Sequence, residues 1–544
     1  MMRHYFLVFI ILLGTFACTG KPPQQDGIVR IGWPGSPDAR HPGIAVLSQA
    51  YSIFALVYDT LYTLELDGSY APGLVTKQTL SPDGTTYTFH IRTNARFHDE
   101  QPVTAHDVAF SLRFYHDHPD FPLLYAYTRQ FKNITAADDH TVVLELTAPV
   151  PNIESQLAYL FILPHHVWEP HIEGEAALQF DNANMIGSGP FKLVEYAQNA
   201  FVHLEPHTSH PLAPQNIKGV IFQTFANQDA LVQAIRTGQV DAITEMPFTA
   251  FEGLKTQPNV RVFSGTPSQP EVTDIILNQL APENAPEGSI ASGHPALRDV
   301  RMRKALALAT NKQRLIDIVL LGHGSLGKTL IPDGLGHWFN SEISDYPFDP
   351  DQAKALLDDA NYQDKDGDGI REMPTGQPLT FRISWPTDST IAPRMARMLS
   401  EMWATIGIGT QLQAVDPDAL TAQCCPAFDY DIMLWGWTTA SDPAFLLDIM
   451  TSFGIPTGTN ETGYADPTYD AKYQQQAIEL NVQKRKQIVW DMQRQVHDAI
   501  TYIIPFYPKV LQAYRTDRFS GWVTNTPRLG IETPRSLFAL TPVP

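Results

Sequence analysis

The chain has 544 residues, 43% of them apolar and 18% charged. That excludes a wholly disordered protein and leaves three or four domains' worth of material, at about 100–200 residues each. The formal charge is −20, and a surface so acidic repels phosphate backbones, which excludes nucleic acid as a partner.

Residues 1–17 have the layout of a signal peptide. Arg3 is the positive start, Tyr5 to Leu13 is apolar, and Gly14 to Cys18 is mostly small. The apolar run is about half the ~20 residues of a membrane span. Ala17-Cys18 resembles a bacterial lipobox, with Thr15 where Leu is usual. This predicts lipid on Cys18 and a protein tethered outside the cytoplasm, on the periplasmic side or cell surface. Residues 18–27 then form a polar linker.

Ile28 to Ile31 alternates like a strand, and Ser48 to Leu61 has helical period. Ser81-Pro-Asp-Gly84 is a turn before the alternating strand Thr86 to Arg92. Thr104 and Asp107 read as a capping box opening a helix through Phe114. Strands follow at Thr141 to Leu146 and Phe191 to Val194. Asp229 to Thr237 reads as a helix stopped by Gly238, with a strand at Asp241 to Thr244. Most of Val300 to Leu321 reads as one long helix. Ala353 to Ala360 and Ala392 to Ile406 are shorter helices, Asp431 to Leu434 is a buried strand, and Tyr469 to Ile500 is a long helical region. The alternation means mixed α/β with more than one sheet.

Few motifs carry chemistry. Gly322 to Thr329 matches a phosphate-binding loop letter for letter. A helix precedes it and Pro332 and Gly334 follow, so the strand and helix such a loop needs are missing, and a plain Gly-rich loop is the better reading. Asp364, Asp366 and Asp368 stand at positions 1, 3 and 5 of a calcium-type loop. Position 12 is Thr375 rather than Glu, and an Asp/Gly turn is the competing reading. Cys424 and Cys425 are adjacent, which leaves a free pair or a strained vicinal disulfide and suits neither a disulfide framework nor zinc. No catalytic constellation and no cofactor motif stands out, which points away from an enzyme. Trp435-Gly-Trp437, followed by Asp442-Pro443, reads as an aromatic wall with a carboxylate nearby.

Several segments in order resemble extracytoplasmic solute-binding proteins of family 5, the oligopeptide-, dipeptide- and nickel-binding components of ABC importers. They include Tyr58 to Leu61, Ser81 to Phe89, Phe97 to Val108, Gly187 to Leu193 and Ala234 to Ala242. Asp299 to Leu306, Tyr430 to Trp437 and Gly463 to Pro467 continue the series. The resemblance implies an α/β, two-lobed periplasmic-binding-protein-like fold (type II, cluster C) with an extra subdomain. Lobe I takes residues 28–50, 185–270 and 505–544, the subdomain 51–184, and lobe II 271–504. It also implies a cleft that closes on a peptide or other small solute and hands it to permease subunits. The cleft residues it implies are Ser36, Asn278, Trp385, Trp435, Gly436, Trp437, Thr438 and Asp442. The family's ammonium-binding Asp falls at Ala440 and its carboxylate-binding Arg at Leu434, so recognition of free peptide ends departs from the pattern. A nickel chelate, an oligosaccharide, or a secreted hydrolase in another class are the alternatives.

Overall fold

The computed structural model describes residues 27–544. Cys18 and the expected signal peptide lie outside them. Two large sheets organise the chain. The first has eight strands, with Ile28–Pro34 inside it between Gly219–Phe225 and Ala242–Ile243. The second has six, ordered Gly324–Leu326, Tyr502–Pro508, Glu271–Leu277, Ile432–Thr438, Thr380–Pro386 and Gly409–Val415. A separate four-stranded sheet is formed by Val75–Leu80, Thr86–Ile91, Thr141–Leu146 and Phe131–Asp138.

The central strand of the second sheet shows why these residues make strands. Glu271–Leu277 is rich in β-branched side chains and buried on both faces. Ile275 and Leu277 enter one core, while Val272 and Ile276 enter another on the opposite face. Helices cover both faces, so the sheet is the spine of one lobe. The first sheet is the spine of the other.

The chain crosses between the sheets twice. Val260–Pro267 of the first sheet passes through residues 268–270 into Glu271–Leu277. Tyr502–Pro508 of the second passes through Lys509 into Val510–Arg515 of the first. Both crossings line one small cavity that includes Pro267, Pro270, Pro508 and Lys509, so they run side by side. Two adjacent short connections are the construction of a hinge. The strand Tyr502–Pro508 stays in the second sheet past the 504 boundary expected from sequence.

Local signals decide most element ends. Thr104 and Asp107 form the reciprocal capping box. Gly238 closes its helix in the left-handed conformation, at φ 76°. Gly187 permits a close approach: a Cβ there would lie 2.0 Å from the Val57 carbonyl oxygen. One expectation needs correction. The helix expected over most of Val300 to Leu321 is two helices, Val300–Leu308 and Lys312–Val319, because Asn311 caps a new one. The helical region expected at Tyr469 to Ile500 is made of two helices, Pro467–Ile478 and Val482–Ala499, with Asn481 capping the second.

Gly322 to Thr329 is a loop around the edge strand Gly324–Leu326. Lys328 donates to the Ile343 carbonyl at 3.1 Å, and the loop opens no α-helix, only a short 3-10 turn from Asp333 to Trp338. The phosphate-loop match is thereby a coincidence of letters.

Candidate functional site

The site is built at strand ends. In the second sheet, Ile432–Thr438 pairs along its whole length with Glu271–Leu277. On its other side, Thr380–Pro386 pairs only with Ile432 and Met433. Past Met433 that edge has no strand beside it among the described residues. Trp435, Gly436, Trp437 and Thr438 therefore stand on a half-open edge. The first sheet repeats the arrangement. Ile28–Pro34 pairs with Ala242–Ile243 only at Ile31 and Gly32, leaving Trp33 to Ser36 beyond. Open edges at strand ends are where α/β folds hold ligands, and an exposed edge can take an extended chain as an added strand.

A cavity of about 230 Å³ fills the gap where the two second-sheet strands diverge. Thr273, Pro386, Met395, Leu434, Trp435 and Gly436 are among its walls. Gly436 is needed for packing as well as access, since a Cβ there would lie 2.7 Å from the Val272 carbonyl oxygen. Trp437 is half-buried, meets Phe445 edge-on at 5.5 Å, and donates its indole N–H to Glu461 at 3.2 Å.

The other expected residues are placed as follows. Ser36 is half-buried at the end of the first sheet, and its hydroxyl accepts from the Asn199 N–H. Trp385 is 8% exposed and packed in the lobe core rather than on the cavity wall. Asn278 is at the far end of its strand from Thr273; its amide clamps the carbonyls of Phe428 and Tyr430. Asp442 is buried behind the Trp strand in a two-pronged ion pair with Arg485, at 2.6 and 2.8 Å. Its charge is thus spent inside the lobe. Asp364, Asp366, Asp368 and Glu372 converge to within 4.8 Å. Asp364 accepts the N–H groups of Gly367 and Gly369, and Glu372 that of Lys365, as in a tight Asx-type turn. Cys424 and Cys425 are bonded to each other.

Residues that sequence reading missed surround the hinge. Glu271 is the strand partner of Thr438. It stays solvent-accessible although protein crowds it, as a group lining a cleft does. Glu245 follows a strand of the first sheet, and Glu532 comes from the C-terminal segment. Burial holds the Glu271 and Glu532 carboxyls above the ordinary range, and the Glu245 carboxylate adds to it. Arg528 joins three parts of the molecule. Its guanidinium donates to the Gly334 and Ser268 carbonyls and to Ser441 Oγ, at 3.0, 3.4 and 2.5 Å. Its own N–H donates to Leu66. No nearby sequence signal marks these partners.

The profile of bacterial extracellular solute-binding proteins, family 5, matches residues 69–455. The chain belongs to that family. It is 24% identical over 495 residues to the oligopeptide-binding protein AppA of Bacillus subtilis, covering 86% of each chain. It is 25% identical over 522 residues to the nickel-binding periplasmic protein of Escherichia coli, covering 91% of each. Among solved structures it resembles the substrate-binding protein CtaP of Listeria monocytogenes, with TM-score 0.81 at 23% identity. That likeness covers 95% of this chain and all of the other. The family-5 fold is two-lobed, as are the two sheets and their double crossing. No helix among the described residues is long and apolar enough to cross a membrane.

Proposed function

We propose that this family-5 protein is an extracytoplasmic binding lipoprotein, anchored through Cys18, that delivers peptides or related small solutes to an ABC importer. It performs no covalent chemistry. The observation that carries this reading is the half-open edge of Ile432–Thr438 beside the 230 Å³ cavity. An extended ligand backbone fits such an edge, and a side chain fits the cavity. Peptide binding by the Bacillus subtilis relative supports the same ligand class.

The geometry also suggests how the ligand works. It touches both lobes only when they are closed, so its binding free energy falls on one side of the open–closed balance. Shifting that balance from 1:99 to 99:1 takes about 5.5 kcal/mol. The closed form is then what the permease reads. Ala440 and the committed Asp442 leave no free carboxylate directly after Trp437. Glu271, beside Thr438 at the end of the Trp strand, is exposed, whereas the Glu461 carboxylate on the Trp437 indole is buried. Glu271 is the better candidate for a ligand ammonium.

Trp437→Ala tests the site. Calorimetry with short synthetic peptides should show affinity falling by at least tenfold, the effect of losing one aromatic anchor of about 2 kcal/mol. Unchanged affinity in this variant places the ligand elsewhere.

A further inference from the structure

We propose that Asp274 and Glu461 form a buried proton-binding site that holds the indole of Trp437 in place. The importance of that indole for ligand rests on the reading above; the proton site itself does not.

Asp274 is fully buried in the central strand of the second sheet. Neither of its carboxyl oxygens has a hydrogen-bond partner among the described residues. Val272, Asp274 and Ile276 share a face, with Trp437 opposite Val272 and Tyr502 opposite Ile276. Glu461, 5% exposed, reaches in from the loop before Pro467–Ile478. One of its oxygens accepts from Tyr502 Oη at 2.9 Å and from Trp437 Nε1 at 3.2 Å. The two donors bracket Asp274 along the sheet, so Glu461 lies over it.

The buried cations of this lobe among the described residues, Arg303, Lys312 and Arg485, are turned to other partners, Lys312 to Asp345. Arg303 donates to the carbonyls of Leu297, Arg298, Ala499 and Ile500. Arg485 pairs with Asp442, Arg382 with Asp429 and Asp431, and His497 lies beside Asp345 and Asp498. The remaining titratable groups packed around the pair are tyrosines. Tyr430 donates to the Glu461 carbonyl, Tyr502 to the Glu461 side chain, and Tyr464 to Asp466.

Two carboxylates removed from water without a counter-cation do not both ionise. Burial raises both carboxyls, and Glu461 raises Asp274 further. A proton on Asp274 converts its unpartnered oxygen into a donor toward the free oxygen of Glu461. A metal ion fits less well, because the Trp437 N–H has no lone pair to offer it and both Trp437 and Tyr502 aim hydrogens at the Glu461 carboxylate. The proton keeps Glu461 under Trp437. Loss of the proton sets two negative charges against each other and pushes the Glu461 carboxylate away from the indole N–H.

The sign of the pH effect follows. Both acids bind protons more tightly folded than unfolded. Their contribution is full at low pH and is lost as pH rises through the raised values. Buried carboxyls can titrate as high as about pH 8–9.

The experiment uses the full chain, Asp274→Asn and Glu461→Gln, with no ligand added. Infrared spectra at neutral pH should show the carbonyl stretch of a protonated carboxylic acid in the wild type. The wild-type-minus-variant difference spectrum should carry that band for Asp274→Asn. Melting temperature should fall between about pH 5 and pH 9 by a few degrees more in the wild type than in either variant. The proposal is overturned if the wild type lacks the band, or if the variants keep the wild-type pH slope. It is also overturned if a sodium, potassium, magnesium or calcium salt raises the wild-type melting temperature at high pH and Asp274→Asn abolishes that rise. Since no ligand is used, a failed Trp437 affinity test leaves this result standing, and the converse holds.

Discussion

Arg485→Ala should destabilise the second lobe by about 3–5 kcal/mol, the cost of leaving one partner of a buried ion pair alone. Arg485 is 2% exposed on the helix Val482–Ala499. It grips both oxygens of Asp442, both the backbone and side-chain oxygens of Gln476, and lies 4.9 Å from the centre of the Trp338 ring. Removing it strands the Asp442 carboxylate behind the Trp strand without the two N–H donors it had from Arg485, and leaves the Gln476 oxygens unpaired as well. Urea unfolding followed by tryptophan fluorescence measures the loss. The paired change Asp442→Asn with Arg485→Met should recover part of it, because no charge is then left buried. A loss under about 1 kcal/mol for Arg485→Ala would mean the pair behaves as a surface salt bridge. The same pair bears on ligand recognition. With its charge neutralised from behind, Asp442 serves the Trp strand as a support, and its substitution should cost more stability than affinity.

Arg528→Ala should open the molecule. Arg528 is 3% exposed, and its guanidinium ties the C-terminal segment to Gly334 and Ser441 of the second lobe and to Ser268 in the hinge. Hydrogen bonds from a charged donor are worth about 1.5–3 kcal/mol each. Losing those to Gly334 and Ser441 shifts the open–closed balance by several kcal/mol, and every 1.4 kcal/mol is tenfold in apparent affinity. Small-angle scattering of the ligand-free protein should show a larger radius of gyration in the variant. Peptide affinity should fall at least tenfold. An unchanged radius together with unchanged affinity would show that Arg528 is a local packing group.

The sequence reading succeeds where the cause is local. Thr104 and Asp107 cap a helix three residues apart, and Gly238 ends one on its own conformation. The Trp435 to Thr438 segment stands out because two large aromatics flank a residue without a side chain. Local signals also misled where a single polar residue decides between one helix and two. Asn311 and Asn481 look like ordinary interior residues of a helical stretch until their side chains are seen capping a fresh turn. The site's supporting groups were illegible for a different reason. Asp442 meets Arg485, Ser441 meets Arg528, and Trp437 meets Glu461 only after two strands and a hinge have brought distant segments together. Charge and spacing along the chain carry no trace of those pairings. Asp442 in particular reads as a ligand group from its neighbours in sequence and as an ion-pair partner from its neighbours in space.

The central claim is that the cleft between the lobes carries peptides. Native mass spectrometry of protein purified without denaturation tests it most directly. The account predicts a ladder of bound masses that resolves, on denaturation, into short peptides of mixed sequence, and weaker retention of that ladder in Trp437→Ala. A single bound sugar or metal-chelate mass in place of the ladder would contradict it.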